Sequence, residues 1–551
     1  MKKWTRALAL LMALCMLLAL AACSKDDGGS TNAGDGQTTT GGDNASTGDN
    51  ASTGGNAGGD AAPAGDLDTT VAIGTSASFG YLNPNGGTGM GDNYVTYMVF
   101  NQLFDIDKET GKWYSPVSDD WGWDDDTTLH VTIKDGITFD GGAVMDANDV
   151  LATCQYNIEF GNQRQGQWAG VIDWDNTTVS DDGKTITFKY FKPYGAALSE
   201  LCICIADDEF LAAHPDGDEI WWKAPNGSGP YRVKECVADS YVTYELRDDY
   251  WDTSRTFDCT EITVKYYSDA NSMWAEYQNG VIDAVLGMND TQVTAVENDP
   301  SLGTLVLQST NCVPCMSMNE HNQYIADERV REAISYAVPW FEVGQIAWGS
   351  LAVEATSHFT PTMAAYSDHS GAYTYDPDKA RQILADAGYA DGEIQLLYVA
   401  VNDTQQVRVM EAVQGYLADV GIVITPETYE LGTALPEYYF KGKNDMAIIM
   451  PNGANATREP WQFLSPLTNG LFLDRSMSDP EYVALADESN ATSDYDARME
   501  TFKKIDSWLY DNYWMFPYCE VMEAWCFNSR IAEFDMLNNW YDCLGNIKLA
   551  K

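Results

Sequence analysis

The sequence predicts a mixed α/β fold. Runs with strand-like alternation recur along the chain, and between them lie segments with helical apolar spacing, acidic starts and glycine stops. Size agrees with this: 551 residues, 45% of them hydrophobic, with 17 Trp and 31 Tyr, supply enough core for two or three lobes.

At the start, Lys2, Lys3 and Arg6 precede an apolar run from Ala7 to Leu20. That run has the length of a signal-peptide core and is short for a permanent membrane helix. Leu20-Ala21-Ala22-Cys23 follows, and Ser24 opens a polar stretch. This pattern resembles a bacterial lipobox, which implies a signal peptide over 1–22 and acylation of Cys23, the lipid anchor. From Ser24 to about Asp66 the chain is almost wholly Gly, Ser, Thr, Asn, Asp and Ala, and Gly42–Thr47 is repeated at Gly48–Thr53. Such a composition cannot offset its ordering entropy, so a disordered tether with a reach of roughly 35 Å is expected over 23–66.

The strands come next. Leu129, Val131 and Ile133 alternate, as do Ile186, Phe188 and Tyr190, then Val242, Tyr244 and Leu246, then Ile262, Val264 and Tyr266. Cys202 and Cys204 alternate along another strand-like run and are expected on one face. Cys312-Val-Pro-Cys315 has CxxC spacing, but Thr304–Leu307 before it and Met316–Asn319 after it read as a buried strand. Core thiols or a structural disulfide are therefore expected there, ahead of a redox or metal pair.

Three helices follow from their apolar faces. Val330, Ala333, Ile334, Ala337 and Val338 form the first. The second starts at Asp376-Pro377, buries Ala380, Ile383, Leu384 and Ala387, and stops at Gly388. Val409, Ala412, Val413, Tyr416, Leu417 and Val420 form the third, closed by Gly421. These stripes are core, not cofactor boxes.

With 82 acidic and 32 basic residues the chain carries −50, which repels phosphate backbones, so no nucleic acid is expected. Among His130, His214, His321, His358 and His369 no pair has i, i+4 spacing, and no nucleophile-elbow, zincin or phosphate-loop motif occurs. Neither a metal, a cofactor nor an enzyme is expected.

Several segments occur together in one order. They are Lys134–Gly142 with Met145–Val150, Gly227-Ser-Gly-Pro-Tyr231, Leu246–Trp251, Gln278–Asp283, Met318-Asn319 with Asp327–Ser335, Tyr375–Ala380 through Tyr389, and Pro517-Tyr518. The set resembles the signatures of the extracellular solute-binding proteins of family 5, the oligopeptide- and dipeptide-binding lipoproteins of ABC importers. The resemblance implies a periplasmic-binding-protein-like α/β fold: two lobes joined by a hinge, with an extra subdomain in lobe I. Lobe I is expected at 67–108, 225–308 and 517–551, its subdomain at 109–224, and lobe II at 309–516. It further implies a monomer outside the cytoplasm, held to the membrane by lipid, that closes on a peptide or peptide-like solute and presents it to permease subunits of an ABC transporter.

The resemblance also marks a departure. Peptide binders of the family carry an Asp for the ligand's ammonium group, and Ala456 stands at that position, next to Asn455. The acidic position of the family's F-E-G-L segment is Asn101 here. An oligosaccharide stacked on aromatic rings is therefore the alternative ligand, with an extracellular enzyme more remote. The expected ligand-binding residues are Asn101, Trp274, Asn455, Arg458, Trp461 and Tyr518.

Overall fold

The computed structural model describes residues 68–76, 96–107, 112–160, 168–214, 220–439, 442–449, 460, 479–534 and 544–551. Cys23 and the tether lie outside the described residues, and no described helix is long and apolar enough to cross a membrane.

Two large sheets organise the molecule. The first has eight strands, in the order Thr304–Ser309, Cys519–Phe527, Ala284–Leu286, Thr70–Thr75, Glu261–Tyr266, Tyr241–Leu246 and Tyr231–Val237, with Ala352–Glu354 also pairing with Cys519–Phe527. Thr70–Thr75 runs parallel to both neighbours, with Val71 beside Ile262 and Thr75 beside Leu286. The alternating residues Val242, Tyr244, Ile262 and Val264 are buried together with Trp525 and Phe527. The second sheet has five strands, in the order Val423–Tyr429, Gln395–Val401, Met446–Ile449, Cys315–Met318 and Met515–Pro517. Its core takes the helical stripes read from the sequence, including Val330, Ile334, Leu384, Val409, Val413 and Leu417.

A smaller four-stranded sheet joins Asp120–Asp125, Thr128–Thr132, Thr185–Lys189 and Thr178–Val179. Leu129, Val131, Ile186 and Phe188 pack there on Val150 and Cys154 of the Ala147–Phe160 helix.

Part of the acidic charge has a structural use. Asp207, Asp269, Asp327, Asp376, Asp403, Asp479 and Asp494 each cap a helix, accepting backbone N–H groups of its first turn. Gly388 ends the Pro377–Ala387 helix at φ 91°, a left-handed conformation that strains any residue with a Cβ.

Two sequence expectations need correction. Thr304–Leu307 and Met316–Asn319 do not share one buried strand. Thr304–Ser309 is an edge strand of the eight-stranded sheet and is only half-buried, whereas Cys315–Met318 is buried inside the five-stranded sheet. The chain crosses between sheets at 310–314. Nor do Cys202 and Cys204 share a face: Cys202 packs against the core of the four-stranded sheet and Cys204 against that of the eight-stranded sheet. Only an isolated bridge from Gln102 to Cys204 forms there, because the segment passes between two cores. No disulfide joins the nine described cysteines, and burial pushes Cys312 up to about 12 and raises Cys315 well above the ordinary thiol value. Both are core thiols, as one of the two readings of the CxxC had it, with none of the acidity of a redox nucleophile.

Candidate ligand-binding cleft

The chain crosses between the large sheets a second time, from Met515–Pro517 through Tyr518 into Cys519–Phe527. The two crossings lie side by side. Tyr518 N donates to Pro314 O (3.0 Å), Val521 N to Cys312 O (3.0 Å) and Thr310 N to Val521 O (3.1 Å). Asn311 turns the first crossing in a left-handed conformation (φ 52°), and its side-chain oxygen accepts from the Thr360 and Thr362 hydroxyls. Two short antiparallel connectors between sheets form a hinge.

Strand register then shows what faces that hinge. In the five-stranded sheet Cys315 pairs with both Pro517 and Ile449, so the carboxyl end of Met446–Ile449 lies at the hinge. Gln395–Val401 runs parallel to it and to Val423–Tyr429, which places Val401 and Tyr429 at the same end. In the eight-stranded sheet Leu286 pairs with Trp525, towards the hinge end of Cys519–Phe527, and Thr75 lies beside Leu286. Both sheets therefore turn the carboxyl ends of their parallel strands towards one hinge. Open α/β sheets bind ligands at such ends, where strand order switches direction. The Gln395–Val401 strand, second in that sheet, is such a switch point, since its parallel partners lie on either side of it.

The lip of the five-stranded sheet carries recognisable chemistry. Asn402 Nδ2 donates to Glu430 Oε1 (2.9 Å), and Asn402 N to Tyr429 O (2.8 Å). The Tyr429 and Tyr438 rings stack at 4.3 Å; the Tyr438 hydroxyl donates to that of Tyr429 (2.5 Å), which donates to Glu427 (2.8 Å). An amide, two carboxylates and an aromatic pair thus meet on one edge. Reading the sequence locally missed Asn402, Glu430 and Tyr429. The available signal was the strand–helix–strand order over 395–429, with Asp403 as cap.

The expected site residues are scattered. Tyr518 lies in the hinge, buried, stacked on Trp340 at 5.7 Å, beside a cavity of about 220 Å³ that also touches His369, Tyr373 and Tyr510. Asn101 lines a different cavity, of about 700 Å³, between the subdomain strands at Trp113–Tyr114 and Asp120–Asp125 and the 250–255 segment. There it accepts a hydrogen bond from Trp251 Nε1 (3.3 Å). Trp274 lines neither cavity; half-buried, it stacks on Tyr277 at 5.1 Å against the core behind the eight-stranded sheet. Asn455, Arg458 and Trp461 lie outside the described residues.

A cluster with hydrolase-like residue types occurs in the five-stranded lobe. Buried Asp506 accepts from Ser357 Oγ (2.8 Å), His358 Nδ1 (2.7 Å) and His369 Nε2 (2.9 Å). Here the serine donates straight to the carboxylate, and His358 spans Asp506 and Met515 O (3.2 Å). No imidazole acts as base towards the hydroxyl, so this is a structural knot and not a nucleophilic triad.

The family model for bacterial extracellular solute-binding proteins, family 5 Middle, matches residues 115–471. The dipeptide-binding protein of Escherichia coli K12 is 25% identical over 374 residues, 65% of this chain and 68% of its own. The glutathione-binding protein GsiB of the same organism is 26% identical over 406 residues, 73% of this chain and 77% of its own. An ABC transporter-associated periplasmic binding protein, DppA of Helicobacter pylori in complex with the peptide STSA, aligns with a TM-score of 0.69 at 19% identity, covering 88% of this chain and 98% of its own.

Proposed function

We propose that this chain, which belongs to the bacterial extracellular solute-binding proteins of family 5, captures a peptide or peptide-like solute between its lobes and delivers it to an ABC importer. It is a binding protein of the extracytoplasmic space and not an enzyme. The observation that carries the reading is the convergence of strand carboxyl ends from both sheets on one hinge, the paired connectors at 310–314 and Tyr518. The relatives named for dipeptides and glutathione support peptide as the ligand class.

Within this reading, lobe I takes 67–108, 225–308 and 517–551, the subdomain 109–224, and lobe II 309–516. Acylated Cys23 holds the molecule at the membrane, and the tether over 23–66 lets it reach a permease. Glu430 supplies the carboxylate that Ala456 lacks: it stands at the switch-point lip, and Asn402 orients it. An α-ammonium leaving water needs such an opposite charge.

A thermal-shift series tests the ligand class. A ligand that binds the folded form raises its melting temperature through RT ln(1 + [L]/Kd). Free-amine di- to tetrapeptides should raise the midpoint, and the same peptides N-acetylated should raise it far less. A response confined to oligosaccharides would overturn the peptide reading.

A further inference from the structure

We propose that the 700 Å³ cavity holding Asn101 is a second binding site, separate from the hinge cleft, for a neutral oligosaccharide. Its volume lies within the range of small-molecule sites. Its walls come from the Trp113–Tyr114 and Asp120–Asp125 strands on the subdomain side and from the 250–255 segment that follows the Tyr241–Leu246 strand.

Tryptophan exposure is the first argument. Trp221, Trp340, Trp508 and Trp525 are buried in the cores, as large aromatics usually are. Of the half-buried tryptophans, Trp113, Trp121 and Trp251 line this one cavity and Trp123, Trp174 and Trp274 do not; Tyr250 and Tyr114, which is 42% exposed, join the three at its wall. Partly exposed aromatic side chains grouped at one cavity wall suit a ligand that is apolar on its faces and polar at its edges. A pyranose has that form, with C–H groups on its faces and hydroxyls around its rim.

Charge is the second argument. In a chain of net charge −50, three carboxylates (Asp105, Asp119, Asp252) meet two cations (Lys134, Arg255) at this cavity. Lys134 is paired with Asp119 (3.0 Å), and Arg255 donates to Asn546 (2.8 Å). So balanced a wall selects neither an anion nor a strong cation. Asn101, Gln102 and Asn546 add amide groups that both donate and accept, as hydroxyls require.

Frame rigidity is the third. Trp251 Nε1 is fixed by Asn101 and by Ser228 O (3.0 Å). Behind it the fully buried Arg247 guanidinium donates to the carbonyls of Thr138, Phe139, Gly227 and Gly229 at 3.2–3.3 Å, tying the subdomain to the eight-stranded lobe. The cavity walls are preformed, which lowers the entropy lost on binding.

The site does not depend on peptide binding in the cleft. Gluco-, xylo-, manno- and chito-oligosaccharides should be titrated calorimetrically into the full chain, its Trp113→Ala and Tyr114→Ala variants, and Trp113→Phe. At least one series should bind saturably, with Trp113→Ala and Tyr114→Ala each weakening it about tenfold or more and Trp113→Phe retaining most of the affinity. A peptide that raises the melting temperature should not compete with the sugar. No binding by any sugar at about millimolar concentration would overturn the proposal. So would undiminished binding in both alanine variants, or mutual exclusion with the peptide, which would place the sugar in the cleft. Should Trp113→Ala misfold, Tyr114→Ala decides alone. Sugar binding with no response to any peptide would sink the peptide reading and leave this site standing.

Discussion

Asp506→Asn tests whether the polar knot beside the hinge holds the five-stranded lobe together. The carboxylate is wholly buried and accepts from Ser357 Oγ, His358 Nδ1, His369 Nε2 and the His358 backbone N–H, all within 3.1 Å. Burial alone would raise its pKa, but the bonds from His358, His369 and Ser357 outweigh burial and hold it at about 2. The amide keeps an acceptor on one side, turns an N–H towards a donor on the other and removes the charge. Breaking a buried pair from one side costs about 3–5 kcal/mol, so that loss is expected in calorimetric or urea unfolding at pH 5. A linked pH effect is also expected. The carboxyl pKa is depressed in the folded state, so its stabilisation is present above the ordinary Asp value and is lost as pH falls towards 2. His369 shifts the other way: its bond to Asp506 raises its pKa, so its contribution is present below the ordinary imidazole value and lost as pH rises past it. The knot therefore stabilises most between about pH 4 and 6.5, and Asp506→Asn should flatten both flanks. A loss under about 1 kcal/mol, or an unchanged pH profile, would refute the reasoning.

Further outcomes follow from other residues. Arg247→Lys keeps the charge but loses the planar fork that reaches four carbonyls, and should cost about 2–4 kcal/mol, read as a lowered urea midpoint. Gly227→Ala should destabilise comparably, by about 2–4 kcal/mol, because its Cβ would run into the Val99 carbonyl. Glu430→Gln should weaken free-amine peptides about tenfold or more in calorimetry and leave their acetylated forms unchanged. Cys23→Ala should abolish lipid labelling and release the protein from membranes; normal labelling of the variant would exclude the lipobox.

The local grammar of the fold was legible. Alternation at 242–246 and 262–266, and the Asp376-Pro377 start with its Gly388 stop, depend on side-chain spacing and caps, which lie within a few residues of sequence. The hinge was not legible, because Thr304–Ser309 and Cys315–Met318 both read as parts of a strand. Only their pairing, with Cys519–Phe527 and with Met446–Ile449 respectively, assigns them to different sheets. The candidate site divides in the same way. Tyr518 was singled out because it sits inside a sequence signature, and the structure puts it in the connector between the sheets. Asn402 and Glu430 meet only through parallel register across the sheet, which periodicity does not encode. For Trp274 the residue type alone did not reveal the neighbour its ring stacks on, Tyr277.

Small-angle scattering with and without a peptide that raises the melting temperature tests the central claim most directly. Two lobes closing about the connectors at 310–314 and Tyr518 should lower the radius of gyration, with each lobe's own fold unchanged. An identical profile at saturating peptide would contradict capture by hinge closure.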